Sequence, residues 1–298
     1  MAKRNLLLCF DAFGTLFSPK QPIPKQYNDV ARSLGHIGFT DDQVQSSFKT
    51  AFKAESKKHP NFGKVSGLNA SKWWANIIHE TFQPLVGAET KLHEELAPRL
   101  LHRFSSAEAY DLTPDVSRLL ESLRSRPPAP ISRVAIGVIT NSDDRVPDVL
   151  TSLGLRVSPL RHGGDPATVN SDPAEKYDID FTVMSYDVGH EKPDRQIFEA
   201  AEALLLTLPV ARGTTKHEWE KVYVGDEFDK DCEGAMNAGW AAVLVGEHPA
   251  INHSAEENSE NSDPPDELSA SLRAGESTSV ASFRALARLL GTPRRNTS

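Results

Sequence analysis

The chain has 298 residues, of which 39% are hydrophobic and 25% charged, the composition of a globular protein large enough for about two domains. Its formal net charge of −8 argues against nucleic acid or an anionic membrane as a partner, because both favour a basic surface. No apolar run reaches the ~20 residues of a membrane span, and the start MAKRNLLLCFDAFG lacks the long apolar region of a signal peptide. With only Cys9 and Cys232 a disulfide framework is excluded, so we expect a cytoplasmic or nuclear location.

Five apolar runs along the chain predict buried strands. They are Asn5–Phe10, Arg133–Ile139, Phe181–Met184, Lys221–Val224 and Ala241–Val245. Helical spacing between them predicts helices over Val146–Leu153, Arg195–Leu206 and Lys230–Ala238. Strand and helix in alternation indicate βαβ crossovers, so we expect an α/β fold with a doubly wound parallel sheet.

Segments of other character interrupt this alternation. Residues from about 25 to 124 have helical periodicity and no convincing strand, which predicts a helical domain over residues 21–110, inserted into an α/β core of residues 1–20 and 111–298. Residues 158–177 and 247–277 are polar, with Pro, Gly, Ser and Asp, and predict flexible insertions. The amphipathic run VASFRALARLLG then predicts a helix that docks back on the sheet.

Polar side chains follow the first two core strands where each strand ends. Ligands of open parallel sheets bind at that edge, so Asp11, in DAFGTLF, and Thr140, in Thr140-Asn141-Ser142, stand where chemistry is expected. A carboxylate there could equally cap a helix or bind loop amides, and Thr, Asn and Ser are all common helix caps.

Two further groups follow the third and fourth predicted core strands. Lys192 precedes Pro193 in a loop, where its ammonium could neutralise a developing anion or simply be solvated. VGDEFDKD then puts four carboxylates within six positions, which repel one another unless a cation or hydrogen bonds offset them, and oxygen ligands of this kind suit Mg²⁺. For Glu227 and Asp229 an acidic helix start is the preferred interpretation, whereas Asp226 directly follows the strand.

The order of these motifs resembles that of the haloacid dehalogenase-like hydrolase superfamily, with the helical insertion at the position of its α-helical cap. Four segments are similar to a eukaryotic subgroup of this superfamily, the haloacid dehalogenase-like hydrolase domain-containing proteins 3. They are HPNFG, GLNASKWW, IIHETF and AYDLTPDVSRLLESLR. The resemblance implies Mg²⁺-dependent hydrolysis of a small phosphorylated molecule and assigns roles as follows. Asp11 is the nucleophile, Thr140 binds the phosphoryl group, Lys192 balances charge, Asn141 and Gly14 contact substrate, and Mg²⁺ is held by Asp11, the Phe13 carbonyl, Asp226 and, indirectly, Asp231.

The chain departs from this family pattern at Phe13. Phosphatases of the superfamily carry an acid–base Asp two positions after the nucleophile, and a phenyl ring cannot transfer a proton. Candidate substitutes are His59, His79, Asp111 and Glu191, among which the sequence does not choose. Two alternatives stay open: a dehalogenase, whose halide leaves without a proton, and a binding or regulatory module. The oligomeric state is not predicted, and of Trp73 and Trp74 we expect at least one to pack in the core.

Overall fold

The computed structural model describes residues 4–125, 127–165, 177–246 and 272–291. Contacts divide the chain into two units. The first comprises Met1–Phe17, Leu112–Asn141 and Leu155–Ser298, and the second Ser18–Asp111 and Ser142–Gly154. The assignment of these parts as core and cap stays a prediction, and each unit is described below by itself.

The strands are β1 (Arg4–Phe10), β2 (Phe17–Pro19), β3 (Tyr110–Leu112), β4 (Ile131–Thr140), β5 (Phe181–Met184), β6 (Trp219–Gly225), β7 (Ala241–Val245) and β8 (Ser277–Val280). The helices are α1 (Ile23–Ser33), α2 (Asp41–Lys58), α3 (Ala70–Val86), α4 (Leu96–Arg103), α5 (Val116–Ser125), α6 (Val146–Ser152), α7 (Ser185–Val188), α8 (Arg195–Leu205), α9 (Glu233–Asn237) and α10 (Phe283–Leu289). Single 3₁₀ turns cover Lys64–Ser66, Pro209–Ala211 and Lys216–Glu218, and a π-helical turn covers Phe228–Cys232.

The first unit is built on a six-stranded parallel sheet in the order β5-β4-β1-β6-β7-β8. β1 lies between β4 and β6, and its residues from Leu6 to Phe10 are all buried. A strand buried on both faces needs apolar residues at every position, which is why these strands read as continuous hydrophobic runs. The predicted α/β fold with a parallel sheet is confirmed.

Both faces of this sheet are covered. On one face, Leu7 and Cys9 of β1 share an apolar cluster with Phe198 of α8 and with Trp240. On the other face, Phe10 stacks on Phe283 of α10, with ring centroids 5.9 Å apart. The prediction that the last helix docks back on the sheet is therefore confirmed.

The structure differs from the predicted elements at four places. Ser158–Leu160, within a predicted flexible insertion, pairs with residues beside and within β5. Ser277–Val280 forms β8 on the sheet edge, although Ser277 was predicted to end the other insertion and Val280 to begin the last helix. The short strands β2 and β3 pair with each other and were not predicted. The predicted helix over Lys230–Ala238 begins as a π-helical turn. Residues 166–176 and 247–271 of the predicted insertions lie outside the described residues.

The second unit is helical apart from the short paired strands. α2 begins at a capping box, in which Gln43 N donates to the Thr40 hydroxyl and Thr40 N to the Gln43 side chain. α2 packs on α3, where Trp73 is 2% exposed and shares a cluster with Ala51 and Ile77. The expectation that at least one of the two tryptophans packs in the core is confirmed at Trp73. No helix in the described ranges is long and apolar enough to cross a bilayer.

Ser142–Gly154, which contains α6, belongs to the second unit. Asp143 is fully buried there and accepts hydrogen bonds from Trp74 Nε1 at 2.5 Å and from Arg145 Nε and Nη2 at 2.8 and 2.9 Å. The Arg145 guanidinium also lies 4.5 Å from the Trp74 ring centroid. This buried ion pair and cation–π contact connect α3 to the segment that directly follows Asn141 in the sequence.

Candidate active site

A buried ion pair between Asp11 and Lys192 lies at the carboxyl end of β1. Asp11 N donates to the Val224 carbonyl at 2.9 Å, which continues the pairing of β1 with β6 by one residue. Lys192 Nζ reaches Asp11 Oδ1 at 2.7 Å, and the two residues are 4% and 7% exposed. Removing two charges from water costs free energy even when they pair with each other. Further hydrogen bonds to both groups are needed to offset that cost.

Asp231 and Tyr223 supply those further hydrogen bonds. Lys192 Nζ donates to Asp231 Oδ1 at 2.7 Å and to Tyr223 Oη at 2.8 Å, so with Asp11 it has three acceptors for three N–H groups. The Tyr223 hydroxyl donates in turn to the Ile139 carbonyl at 2.6 Å. The Lys192 ammonium is thus held by Asp11 directly after β1, by Tyr223 of β6 and by Asp231 of the π-helical turn.

The pKa directions follow from this burial and pairing. Burial alone would lower the pKa of Lys192, but the carboxylates of Asp11 and Asp231 outweigh it and the pKa is raised, so the ammonium is charged. Burial raises the pKa of Asp11, and the charge of Lys192 opposes that shift. Burial also raises the pKa of the Tyr223 hydroxyl well above its usual range.

The π-helical turn brings Asp231 back to the end of β6. Its Oδ2 accepts from the backbone N–H groups of Asp226 and Glu227 at 3.0 and 2.9 Å. A Cβ at Gly225 would lie 2.3 Å from Asp231 Cγ, so only glycine leaves room for the carboxylate. Together with the bond from Lys192, Asp231 accepts three hydrogen bonds, which fits a residue that positions its neighbours.

Asp226 lies over the turn that follows Asp11. Its Oδ1 accepts from the Thr15 hydroxyl at 2.7 Å, and Oδ2 accepts no hydrogen bond from the part of the chain that the structure describes. A Cβ at Gly14, whose φ is +80°, would lie 2.2 Å from Oδ2. Gly14 therefore makes room for this carboxylate, and the substrate contact expected of Gly14 stays a prediction. Burial raises the pKa of Asp226, opposed by the Thr15 hydrogen bond.

Thr140 and Asn141, at the end of β4, have different surroundings. The Thr140 side chain is 2% exposed and hydrogen-bonds to none of the described residues, so its hydroxyl is available to a ligand. The Asn141 amide instead donates to the Lys192 carbonyl at 3.0 Å and accepts from Lys192 N at 2.7 Å. This side chain fixes the backbone of the lysine loop, and its expected contact with substrate stays a prediction.

The Phe13 side chain packs against another aromatic ring. Its ring packs edge-on against Phe17 with centroids 4.7 Å apart, and the turn between them is closed by a hydrogen bond from Gly14 N to the Phe17 carbonyl at 2.9 Å. Of the four suggested proton donors, only Glu191 belongs to the first unit, and it is exposed. His59, His79 and Asp111 belong to the second unit, so the structure does not choose among the four.

The carboxylates fit a hard divalent cation. One oxygen each of Asp11, Asp226 and Asp231 lie within 4.8 Å of one another, and Mg²⁺ prefers oxygen ligands. Asp226 has an oxygen that takes no hydrogen bond from the described residues, so Asp226 and Asp11 stay the predicted carboxylate ligands. Asp231, with its three hydrogen bonds, is better suited to orient them, and the Phe13 carbonyl stays a predicted ligand.

Comparison with known proteins identifies the family. A model of haloacid dehalogenase-like hydrolases matches residues 6–239. The chain belongs to this hydrolase family. A hydrolase of Schizosaccharomyces pombe, itself uncharacterized, is 32% identical over 79% of this chain and 88% of its own length. Haloacid dehalogenase-like hydrolase domain-containing protein 3 of Mus musculus is 28% identical over 80% and 81% of the two chains, so the resemblance to that subgroup is confirmed.

Solved structures agree on the fold. The 2-haloacid dehalogenase of Pseudomonas syringae has a TM-score of 0.52 and covers 96% of this chain and 98% of its own. At 18% identity this likeness establishes the shared fold alone. The reaction of a haloacid dehalogenase-like hydrolase must therefore be argued from the site.

Proposed function

We propose that this hydrolase removes a phosphoryl group from a small molecule, with Asp11 as the nucleophile and Mg²⁺ as the cofactor. The observation that supports this most is the pairing of a buried carboxylate, Asp11, with a buried ammonium, Lys192, beside a second carboxylate, Asp226, that has an unused oxygen. A buried, oriented carboxylate beside a cation and a metal site is suited to attack an anionic phosphorus centre.

The positions of the side chains support the following roles. An oxygen of Asp11 forms a bond with phosphorus as the bond to the leaving group breaks, and water then hydrolyses the aspartyl phosphate and restores Asp11. The Thr140 hydroxyl donates to a phosphoryl oxygen, while Lys192 holds the Asp11 carboxylate in a fixed orientation. Mg²⁺, when bound by Asp226 and Asp11, would supply the positive charge that offsets repulsion between the carboxylate and the phosphoryl oxygens.

Asp231 and Asn141 position this machinery through Lys192. Asp231 contacts the ammonium and the backbone of the Asp226 turn, and Asn141 clamps the lysine backbone from both sides. A small error in the position of a catalytic group can cost about 10²-fold in rate, so both residues matter without touching the reacting atoms. A small phosphorylated substrate in the cytoplasm or nucleus belongs to the same proposal.

The alternatives predict different reactions. A dehalogenase would release halide from 2-chloropropionate with no need for Mg²⁺, whereas a binding module would turn over neither compound. The half-buried Asp226 carboxylate, with an oxygen that accepts no hydrogen bond from a described residue, supports the metal-dependent reaction over both.

The test is an assay of the full chain with p-nitrophenyl phosphate and, separately, with 2-chloropropionate, each with Mg²⁺ and with EDTA. We expect nitrophenolate release that requires Mg²⁺ and is lost in Asp226→Ala, with no chloride release. Chloride release in EDTA would replace the proposal with dehalogenation. No turnover of either compound, at protein concentrations that reveal a rate of a few turnovers per hour, would favour the binding module.

A further inference from the structure

We propose that the phosphoryl donor is an acyl phosphate, or another donor whose leaving group departs without a proton, and that the aspartyl phosphate formed on Asp11 persists. The chain would then carry a phosphoryl group on Asp11 far longer than it takes to acquire one. This inference rests on the proposed function and narrows it to a class of substrate.

The ammonium of Lys192 is committed to other groups. Its three acceptors are Asp11 Oδ1, Asp231 Oδ1 and Tyr223 Oη, at 2.7, 2.7 and 2.8 Å. Two of these three are carboxylates, so a proton given to a leaving group would remove the charge that both of them pair with. Lys192 can orient Asp11 but is a poor source of a proton.

The Tyr223 hydroxyl is committed in the same way. It donates its single hydrogen to the Ile139 carbonyl at 2.6 Å and accepts from Lys192, and the residue is fully buried. The hydroxyl of Thr15 likewise donates to Asp226 Oδ1 at 2.7 Å. Neither hydroxyl has a second hydrogen to give to a leaving group.

The remaining carboxylates around Asp11 are engaged too. Asp231 accepts three hydrogen bonds, Asp226 is the better ligand for a cation, and Glu227 is exposed and pairs with Lys230 at 2.7 Å. Two residues beyond Asp11, Phe13 presents a phenyl ring packed on Phe17. Among the described residues of the first unit that contact Asp11 or its partners, each acid or base is already used for positioning or charge balance.

A donor with a stable anionic leaving group needs none of these groups as an acid. Asp11 attacks phosphorus, the bond from phosphorus to the bridging oxygen of the donor breaks, and the electron pair leaves with a carboxylate. One carboxylate and one acyl phosphate give one aspartyl phosphate and one carboxylate, so charge balances and no proton moves. The conjugate acid of a carboxylate has a pKa of about 4, far below that of an alcohol, so a carboxylate leaves without a proton whereas an alkoxide does not.

The same arrangement slows the second step. Hydrolysis of the aspartyl phosphate requires a base that takes a proton from the attacking water, and general base catalysis is worth about 10²–10⁴-fold. Phosphorylation by an acyl phosphate therefore needs no acid–base help. Dephosphorylation needs a base, and the described first-unit residues that contact Asp11 or its partners do not supply a free one. The intermediate accumulates because only its breakdown is slowed.

The experiment uses acetyl phosphate as the probe, with the full chain in Mg²⁺ and detection of the intact protein by mass spectrometry. We expect one added phosphoryl group, about 80 Da, which is removed by hydroxylamine and absent in Asp11→Asn. With p-nitrophenyl phosphate we expect a burst of one nitrophenolate per protein and then a slow steady rate. Phe13→Asp should shorten the lifetime of the adduct at least about 10²-fold and abolish the burst.

The matched control is Phe13→Asn, which has the size and polarity of the aspartate variant but no acid–base group. Both variants change the same side chain, so we expect the adduct on Phe13→Asn to outlive the adduct on Phe13→Asp at least about 10²-fold. If neither variant folds, the wild-type protein still provides a test. A rate of glycerol phosphate hydrolysis within about tenfold of the rate with acetyl phosphate, with no adduct, would overturn the inference.

Different results would contradict the persistent intermediate and the hydrolase reaction itself. Steady, Mg²⁺-dependent hydrolysis of p-nitrophenyl phosphate with neither burst nor adduct would overturn the persistent intermediate and leave the hydrolase proposal intact. Absence of adduct together with absence of nitrophenolate release would refute both. An adduct that survives in Asp11→Asn would show that another residue is phosphorylated and would overturn the assignment to Asp11.

Discussion

Replacing Lys192 with methionine tests whether the centre of the site is a buried ion pair. Lys192 is 4% exposed, and methionine fills a similar length without the charge. The change leaves the carboxylates of Asp11 and Asp231, both within 2.7 Å of the lost ammonium, buried beside each other with no counter-ion. Breaking a buried pair by removing one partner typically costs about 3–5 kcal/mol, and we expect a loss of that size in the free energy of unfolding at pH 7.5.

The loss should shrink at lower pH. Burial already raises the pKa of Asp11, and without Lys192 it rises further, so the folded variant binds a proton that the unfolded chain does not. An acid whose pKa is raised in the folded state gives a stability deficit above that pKa, and the deficit disappears as pH falls. A proton bound by the folded state alone is worth about 1.4 kcal/mol per pH unit, so part of the lost stability should return as the pH falls from 7.5 to 5.5.

Urea denaturation followed by circular dichroism measures both effects. The matched control is Lys221→Met, because Glu202 keeps a second ammonium, Lys216, at 3.0 Å when Lys221 is removed. We expect this control to lose less stability and to show no recovery at pH 5.5. A loss below about 1 kcal/mol in Lys192→Met, equal at both pH values, would refute the buried ion pair.

Four further outcomes are expected. Millimolar Mg²⁺ should raise the melting temperature of wild type but not of Asp226→Ala, and an unchanged wild-type curve would contradict the metal site. In Gly14→Ala, Mg²⁺ should no longer raise the melting temperature, because the new Cβ would lie 2.2 Å from Asp226 Oδ2. A rise as large as that of wild type would contradict this role of Gly14. Phe283→Ala, which opens a cavity beside Phe10, should cost about 3–5 kcal/mol in denaturation, and a cost under 1 kcal/mol would count against α10 as part of the core. Replacing residues 248–270 with about twelve Gly/Ser residues should leave the melting temperature unchanged, whereas extending the replacement through β8 should lower it.

The strands of the core could be predicted well because burial on both faces leaves a simple pattern. Phe181–Met184 and Ala241–Val245 have the predicted bounds, since each is an unbroken apolar run. Ser277–Val280 could not be found this way. It is a short edge strand of polar and half-buried residues, held by backbone hydrogen bonds to β7 that leave no trace in side-chain hydrophobicity.

The charged centre of the site could also be predicted, because parallel strands bring their carboxyl ends to one edge. Asp11, Lys192 and Asp226 were found from that rule and the family resemblance. The two hydrogen bonds between the Asn141 side chain and the Lys192 backbone could not be predicted, because they depend on the path of a loop. The role of Tyr223 was not predicted, because this residue lies within an apolar run that indicates only a buried strand.

A signal for Tyr223 was nevertheless present in the sequence. A tyrosine in a strand that is predicted to be buried must find a partner for its hydroxyl, and the motif VGDEFDKD begins at the next residue. Thr15, whose hydroxyl contacts Asp226, sits in the same turn as Gly14 and could have been considered with it. Which acceptor each hydroxyl finds depends on tertiary distances that no periodicity encodes.

The most direct test of the central claim, that Asp11 performs the chemistry, compares wild type and Asp11→Asn in Mg²⁺-dependent hydrolysis of p-nitrophenyl phosphate. Asparagine keeps the shape of the side chain and can still approach Lys192, so circular dichroism should show an unchanged fold. We predict that the variant retains less than about 1% of the wild-type rate, in keeping with the loss of a nucleophile. A variant with the wild-type rate would contradict the assignment of Asp11 and, with it, the proposed reaction.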